Sequence, residues 1–270
     1  MVVTLAALLC GTAAVGQESF DPSNYTGITG AMVRGAVLSV GFHPFAGRVP
    51  VILNEPFSAE QQAERHQTLA DGTHIDQDAR PTKLWRDSSG RTRIERAAFR
   101  YETPMTRGFP AAVVISDPVA GYQYVLDPHE HIAHRYPAQF TVIPDPAATK
   151  DDQPLVTETR QEAAHQTVRT ERLGTQVIEG LQADGKRTTI LRDASRGDTA
   201  GSGEMVVETW TSNDLRVELL YKCADRSSTD NVRALHEVSR AEPSPSLFAI
   251  PSGYSIVDET GSFRVNLQRQ

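Results

Sequence analysis

The stretch KLWRDSSGRTRIE, residues 83–95, decides how the rest of the chain is read. Ser88-Ser89-Gly90 is turn chemistry, because glycine reaches positive φ without steric cost and serine bonds nearby backbone groups. The turn joins Lys83–Arg86 to Arg91–Glu95 and predicts a β-hairpin with Leu84, Trp85 and Ile94 as its apolar members. Arg91 and Arg93 fall on one face of the second arm. Facing Glu or Asp across a sheet they form exposed ion pairs worth about 0.2–1 kcal/mol each, so a solvated face is the default over an anionic-ligand site.

The same grammar runs in both directions from this hairpin. Two-residue alternation of β-branched or aromatic side chains marks strands at Gly35–Phe42, Ala111–Ser116, Tyr122–Leu126, Gln139–Ile143, Thr188–Leu191, Met205–Trp210 and Leu215–Cys223. Asp71-Gly72, Asp117-Pro118, Asp127-Pro128, Asp184-Gly185 and Ser252-Gly253 supply turn signals between them. An Asp there can accept from backbone N–H groups two residues on. Turns this close together fit antiparallel meanders; βαβ units need longer crossovers. Ser58–Gln67 has a capping-box start, Ser58 with Gln61, yet only Ala59 and Ala63 are non-polar, so it reads as a marginal helix or a polar edge strand. Gln161–Arg172 is equally open between helix and strand.

Residues 144–154, PDPAATKDDQP, read as a loop joining two meanders, about 28–143 and 155–260. The fold class is therefore mainly β: a curved antiparallel sheet or half-barrel built from two β meanders, with little helix, in one domain over residues 17–270. Its two sides echo each other weakly, Asp71-Gly72 before Trp85 and Asp184-Gly185 before Trp210, with spacings of 13 and 25 residues from Gly to Trp. A duplication and a shared meander grammar both account for the echo.

The chain has 270 residues, 27 Lys+Arg, 34 Asp+Glu and a net charge of −7. That balance argues against a nucleic-acid partner, which favours clustered Lys and Arg. No internal run approaches the roughly 18 apolar residues of a membrane span. Residues 2–9 (VVTLAALL) are apolar, and Ala14 and Gly16 occupy the −3 and −1 positions of a signal-peptidase site, so residues 1–16 read as a signal peptide cleaved before Gln17. Cys10 offers a lipoprotein alternative, but Leu9 stands where a small residue belongs. Cleavage leaves Cys223 alone, without an intramolecular disulfide, which fits a bacterial periplasmic or secreted protein and makes the sequon at Asn24-Tyr25-Thr26 a chance match.

Chemical motifs are sparse. His129, His131 and His134 form the best cluster, since two histidines two apart on a strand share a face, a usual geometry for imidazole ligands. Asp127-Pro128 begins a turn, however, and makes them tip residues of a solvated hairpin, weak candidates for metal. Gly180–Thr188 (GLQADGKRT) nearly spells a phosphate loop, but Arg187 stands where Ser or Thr is required after Lys186. Arg196-Gly197-Asp198 matches a three-residue adhesion motif at chance level, and Cys223 follows an apolar strand as a structural residue. No residue is assigned a catalytic role and no cofactor is implied.

Leu69–Thr73, Trp85–Glu95, Ile115–Gly121 with Tyr124–Pro128, Glu208–Trp210, Ala241–Phe248 and Ile250–Tyr254 together resemble phrases of uncharacterised bacterial exported proteins with a lipoprotein-carrier-like (LolA-like) β architecture. The resemblance covers much of residues 66–258 and implies a curved half-barrel around an apolar hollow. In the tail, Phe248, Ile250 and Tyr254 read as a docked plug, with Pro243, Pro245 and Pro251 fixing an extended path. Three functions remain. One is a non-enzymatic envelope protein holding a lipid or lipidated peptide in an apolar concave groove. Another is a structural or interaction module with a filled core, meeting another envelope protein. The third is a metal-dependent hydrolase using the 129–134 histidines.

Overall fold

The computed structural model describes residues 28–34, 36–44, 47–69, 71–99, 101, 103–144, 156–161, 166–192, 203–225 and 229–269. The expected leader with Cys10, the sequon, the Arg196–Asp198 tripeptide and residues 145–154 of the loop lie outside them. The described chain is nearly all strand, and its one helical element is a 3-10 turn at Pro245–Phe248.

The first half supplies β1 (Ile28–Arg34), β2 (Val37–Phe42), β3 (Arg48–Val51), β4 (Phe57–Thr68), β5 (His74–Asp78), β6 (Thr82–Arg86), β7 (Thr92–Arg96), β8 (Ala112–Asp117), β9 (Tyr122–Asp127), β10 (Ile132–Pro137) and β11 (Gln139–Val142). The second half supplies β12 (Val156–Gln161), β13 (Gln166–Ile178), β14 (Leu181–Arg192), β15 (Gly203–Ser212), β16 (Val217–Asp225), β17 (Thr229–Ser239), β18 (Ser255–Asp258) and β19 (Phe263–Gln268). Fourteen of these form one sheet in the order β12-β13-β14-β15-β16-β17-β4-β6-β7-β8-β9-β10-β18, with β5 on β4. The sheet is curved and not closed into a barrel. It is antiparallel throughout except where β18 runs parallel to β10. A three-stranded sheet β1-β2-β19 and a parallel pair β3-β11 stand beside it.

The two meanders meet at β4 and β17, where Gln67 faces Thr229 and Glu60 faces His236. Ser58–Gln67 is thus a strand, but an interior one and not the polar edge strand its composition suggested. Phe57 and Ala59 turn inward at one end, and pairing on both sides satisfies the backbone of the polar remainder. The residues of Gln161–Arg172 that are described also fall in strands, β12 and β13.

One face of the sheet, here the inner face, carries Phe57, Ala59, Leu84 and Ile94, which join Leu181, Ala183, Leu215, Val217, Leu219 and Leu235 in one buried cluster. The same face of β8–β10 is covered by the small sheet, whose Leu38, Val40, Phe42, Phe263, Val265 and Leu267 pack on Ala112, Val114, Val125 and Tyr136. On the outer face Phe248 is buried against Ile115, Leu126 and Ala133, with Trp85, Ile250 and Tyr254 packed around it. The tail does dock, as its prolines and apolar residues suggested.

The hairpin at 83–95 forms as read and ties these layers together. Asp87 Oδ1 accepts from the Arg91 backbone N–H at 2.8 Å and Oδ2 from Arg91 Nε at 2.6 Å, closing the turn. Arg91 lies over the Phe248 ring, while Arg93 donates to Glu95 on its own strand and to Leu247 O of the tail. Those arginines are therefore roofed by residues 247–248; the expected solvated face with cross-strand ion pairs does not exist. Aspartates close three further turns as their chemistry predicts: Asp71 Oδ1 accepts from Thr73 N, Asp117 Oδ1 from Val119 N and Asp127 Oδ1 from His129 N, each at 2.9 Å. The turn assigned to Asp184-Gly185 is a correction, since both sit within β14. Gly185 is needed there because it lies opposite Trp210, whose ring would come within 2.6 Å of an added Cβ. The echo between the two halves therefore has no structural counterpart at this point: Gly72 sits in the turn between β4 and β5, and Gly185 seats a ring.

Candidate functional site

Curvature follows from a contact no flat sheet could make. Arg86, at the end of β6, donates through Nη2 to Leu215 O at 2.6 Å in the turn before β16, although β4 and β17 separate those strands in the sheet. Its Nε donates to Glu55 O at 2.8 Å and its guanidinium sits 4.7 Å from the Phe57 ring centroid. Burial, reinforced by Arg216 and opposed by Glu55, pulls the Arg86 pKa down to about 9, so the side chain stays charged at neutral pH. Arg216, in that same turn with φ 53°, donates to Ile143 O and Leu53 O. Two arginines thus fasten the β15–β16 turn to the loop between β3 and β4 and to the end of β11.

The curl brings apolar side chains of both meanders together, and they fill the centre of the inner face. Leu84, Leu215, Leu219 and Leu235 are each at most 1% exposed. Toward the small sheet the filling stops and leaves an opening of about 200 Å³, lined by Gln61 and Ala63 of β4, Ala79 and Arg80 before β6, Thr82 of β6, and Arg96, Ala97 and Ala98 at the end of β7. A narrower crevice continues from Arg80, Ala97 and Ala98 to Leu38 and Phe109. Arg80 is held in place because Nη1 donates to Phe109 O, and Ala79 N donates to Ala63 O at 2.7 Å. Chemically the opening offers cationic and neutral polar donors above a wall of alanine methyls.

The histidine candidates part company. His129 and His131 both lie in the tight turn between β9 and β10, where His131 takes φ 53°. His129 Nε2 is 3.5 Å from Glu130 Oε1, whereas the His131 ring meets the Tyr254 ring edge-on at 5.5 Å. His134 points to the inner face, stacked on Phe263 at 4.7 Å, with Nδ1 2.7 Å from Glu259 Oε1. Among the described residues no group of three or more His, Cys, Asp or Glu is placed to hold a metal ion. Cys223 is buried at 2% exposure. The near-phosphate loop is a turn at Glu179-Gly180 running straight into β14. No helix among the described residues is long and apolar enough to cross a membrane.

Sequence reasoning missed the opening entirely. Its residues come from three separate segments, and alanine carries no periodic signal that distinguishes a cavity wall from ordinary sheet surface.

No protein-family model matches the chain, and no curated protein matches it. Among solved structures, the chain is similar to the crystal structure of a LolA superfamily protein from Nitrosomonas europaea, at 8% identity, over 73% of this chain and 90% of that one, with a TM-score of 0.29.

Proposed function

We propose that the chain is an exported, non-enzymatic protein of the bacterial envelope that acts by contact with another envelope protein. The observation that supports this most is the filled inner face: leucines of both meanders occupy the place where an apolar groove would lie. A sheet whose interior is closed by its own side chains meets partners through its edges and outer surfaces. At one end of the sheet stands β18, a four-residue strand exposed along its length, with Ile256 and Val257 at 48% and 39% exposure. Export rests on the reading of residues 1–16.

Envelope extract passed over the immobilised mature protein should yield a partner that an Ile256→Lys/Val257→Lys variant no longer retains. Equal retention by both proteins, or none by either, removes the reading.

A second reading, a lipid or lipidated peptide on the concave face, is favoured by the opening beside the filled core. Ligand pockets for drug-sized molecules are about 300–1,000 Å³, so at about 200 Å³ this one takes only part of such a ligand. Native mass spectrometry of protein purified from its own envelope should then show a bound amphiphile. A mass equal to that of the bare polypeptide counts against it.

A further inference from the structure

We propose that β18 is a docking edge for a second copy of this chain, the two strands pairing antiparallel about a two-fold axis at Val257. This rests on β18 as the contact edge of the first reading above, but it needs no other envelope protein. The backbone of the strand carries the inference. Ser255 N donates to His131 O at 2.9 Å and Glu259 N to Arg135 O at 2.7 Å. In a parallel ladder alternate residues bond the same neighbour, so Ser255, Val257 and Glu259 turn their backbone groups toward β10. Ile256 and Asp258 turn theirs away, and among the described residues β18 ends the sheet.

Those outward groups match a copy of themselves. With Val257 facing its equivalent in the second copy, each Ile256 lies opposite an Asp258. Every such pair exchanges two N–H···O bonds, so all the outward N–H and C=O groups of both strands are satisfied. The side chains suit the same register. Val257, beside His134 on the inner face, is 39% exposed and meets its own equivalent. Ile256, beside Ala133 on the outer face, is 48% exposed and gains cover from the incoming strand. A different protein would have to supply a matching strand, whereas a second copy always brings one.

Edges that stay single are commonly guarded by lysine, proline, a bulge or a charge. β18 has neither lysine nor proline, and its register with β10 is unbroken. Its one charged side chain, Asp258, is held by Arg135 Nε at 2.6 Å and Nη2 at 2.8 Å. Two Asp258 carboxylates lying diagonally across the axis therefore bring their own counter-charges and do not repel as bare ones would. Shortness is the guard that remains, and it sets the strength. A four-residue strand makes a small contact beside the roughly 1,200–2,000 Å² of stable complexes, so the dimer exchanges with the monomer.

Sedimentation of the purified mature protein should show a mean mass that climbs from monomer toward dimer between about 10 μM and about 1 mM. Ile256→Pro removes an outward donor and leaves the bonds to β10 in place. It should weaken association by about tenfold or more, since each copy loses a bond to the other. Oxidised Val257→Cys should form a reducible dimer, because Cα atoms about 4.5 Å apart suit a disulfide. Ile256→Cys should not, since its equivalents lie diagonally, about 7–8 Å apart. The native Cys223 is buried and takes no part. The two cysteine variants keep the test sound if the proline variant folds poorly. A monomer up to about 1 mM, undiminished association of a folded Ile256→Pro, or equal cross-linking at both positions overturns the proposal. None of these results touches retention of a partner from envelope extract, so the two ideas fail separately.

Discussion

Arg86→Met should lower the unfolding free energy by about 3–5 kcal/mol. Methionine approximates the volume of the arginine stem but donates nothing. The carbonyls of Glu55 and Leu215 would both lose their guanidinium donor, and Leu215 is wholly buried. Each buried acceptor left without a partner costs about 1–3 kcal/mol, and the contact with the Phe57 ring goes with them. The loss should appear in urea as a lower midpoint at an unchanged slope, since the same surface is exposed on unfolding. Arg86→Lys tests the explanation more finely. It keeps a charge on a similar stem, but a compact ammonium cannot reproduce the fork that reaches two carbonyls from different directions. An intermediate loss is expected for Lys. A Met variant within about 0.5 kcal/mol of the parent would mean that the curl is held elsewhere.

Gly90→Ala should cost about 2–5 kcal/mol, from two additive sources. Gly90 has φ 78°, where an L side chain costs about 1–2 kcal/mol. An added Cβ would also lie 2.5 Å from Val51 Cγ1 and 3.2 Å from Ile52 O, one buried β-branched side chain and one piece of backbone. Overpacking of that kind costs about 1–3 kcal/mol. Gly72→Ala provides the control, since Gly72 has φ 85° but nothing within 4 Å of the added carbon. It should show only the conformational part. Thermal midpoints of the two variants separate strain from contact, and a Gly90 variant no worse than its Gly72 counterpart would refute the contact argument.

Both residues belong to the hairpin that first disclosed the fold, and the comparison shows what one strand's pattern can reveal. The pattern made Leu84, Trp85 and Ile94 apolar members of a hairpin turning at Ser88–Gly90; the structure has the turn there and sets Leu84 opposite Ile94. The same alternation puts Thr82 and Arg86 on the face of Leu84, yet an arginine in a polar-looking strand gives no sign that it is buried. Its burial follows from carbonyls in the β15–β16 turn and in the loop before β4, far away in sequence. β4 was ambiguous for a related reason. Only its first residues face the core, and its polar stretch is a strand because β17, β5 and β6 pair with it. β18 carries too little pattern in four exposed residues to be read alone; Arg135 fastens it through a two-pronged pair with Asp258 at 2.6 and 2.8 Å. The His129–His134 cluster, conspicuous as a string, dissolves because a tight turn and a strand send the rings to Glu130, Tyr254 and Glu259. The alanine-walled opening leaves no mark in the string at all.

The small sheet sets the timetable by which the molecule can assemble. β2 pairs on one side with β1, its neighbour in sequence, and on the other has Phe42 opposite Phe263 and Leu38 opposite Leu267, so its second partner comes far later in the chain. Contacts this distant in sequence carry a large loop-closure cost and slow the search for the native state. A ribosome releases the N-terminus first, so the edge of β2 that β1 leaves unpaired must wait for β19, although its apolar face can pack on β8–β10 before then. Any factor that shelters a nascent or unfolded chain would find a persistent target in the open edge of residues 37–42, and removal of β19 would leave that edge without its strand.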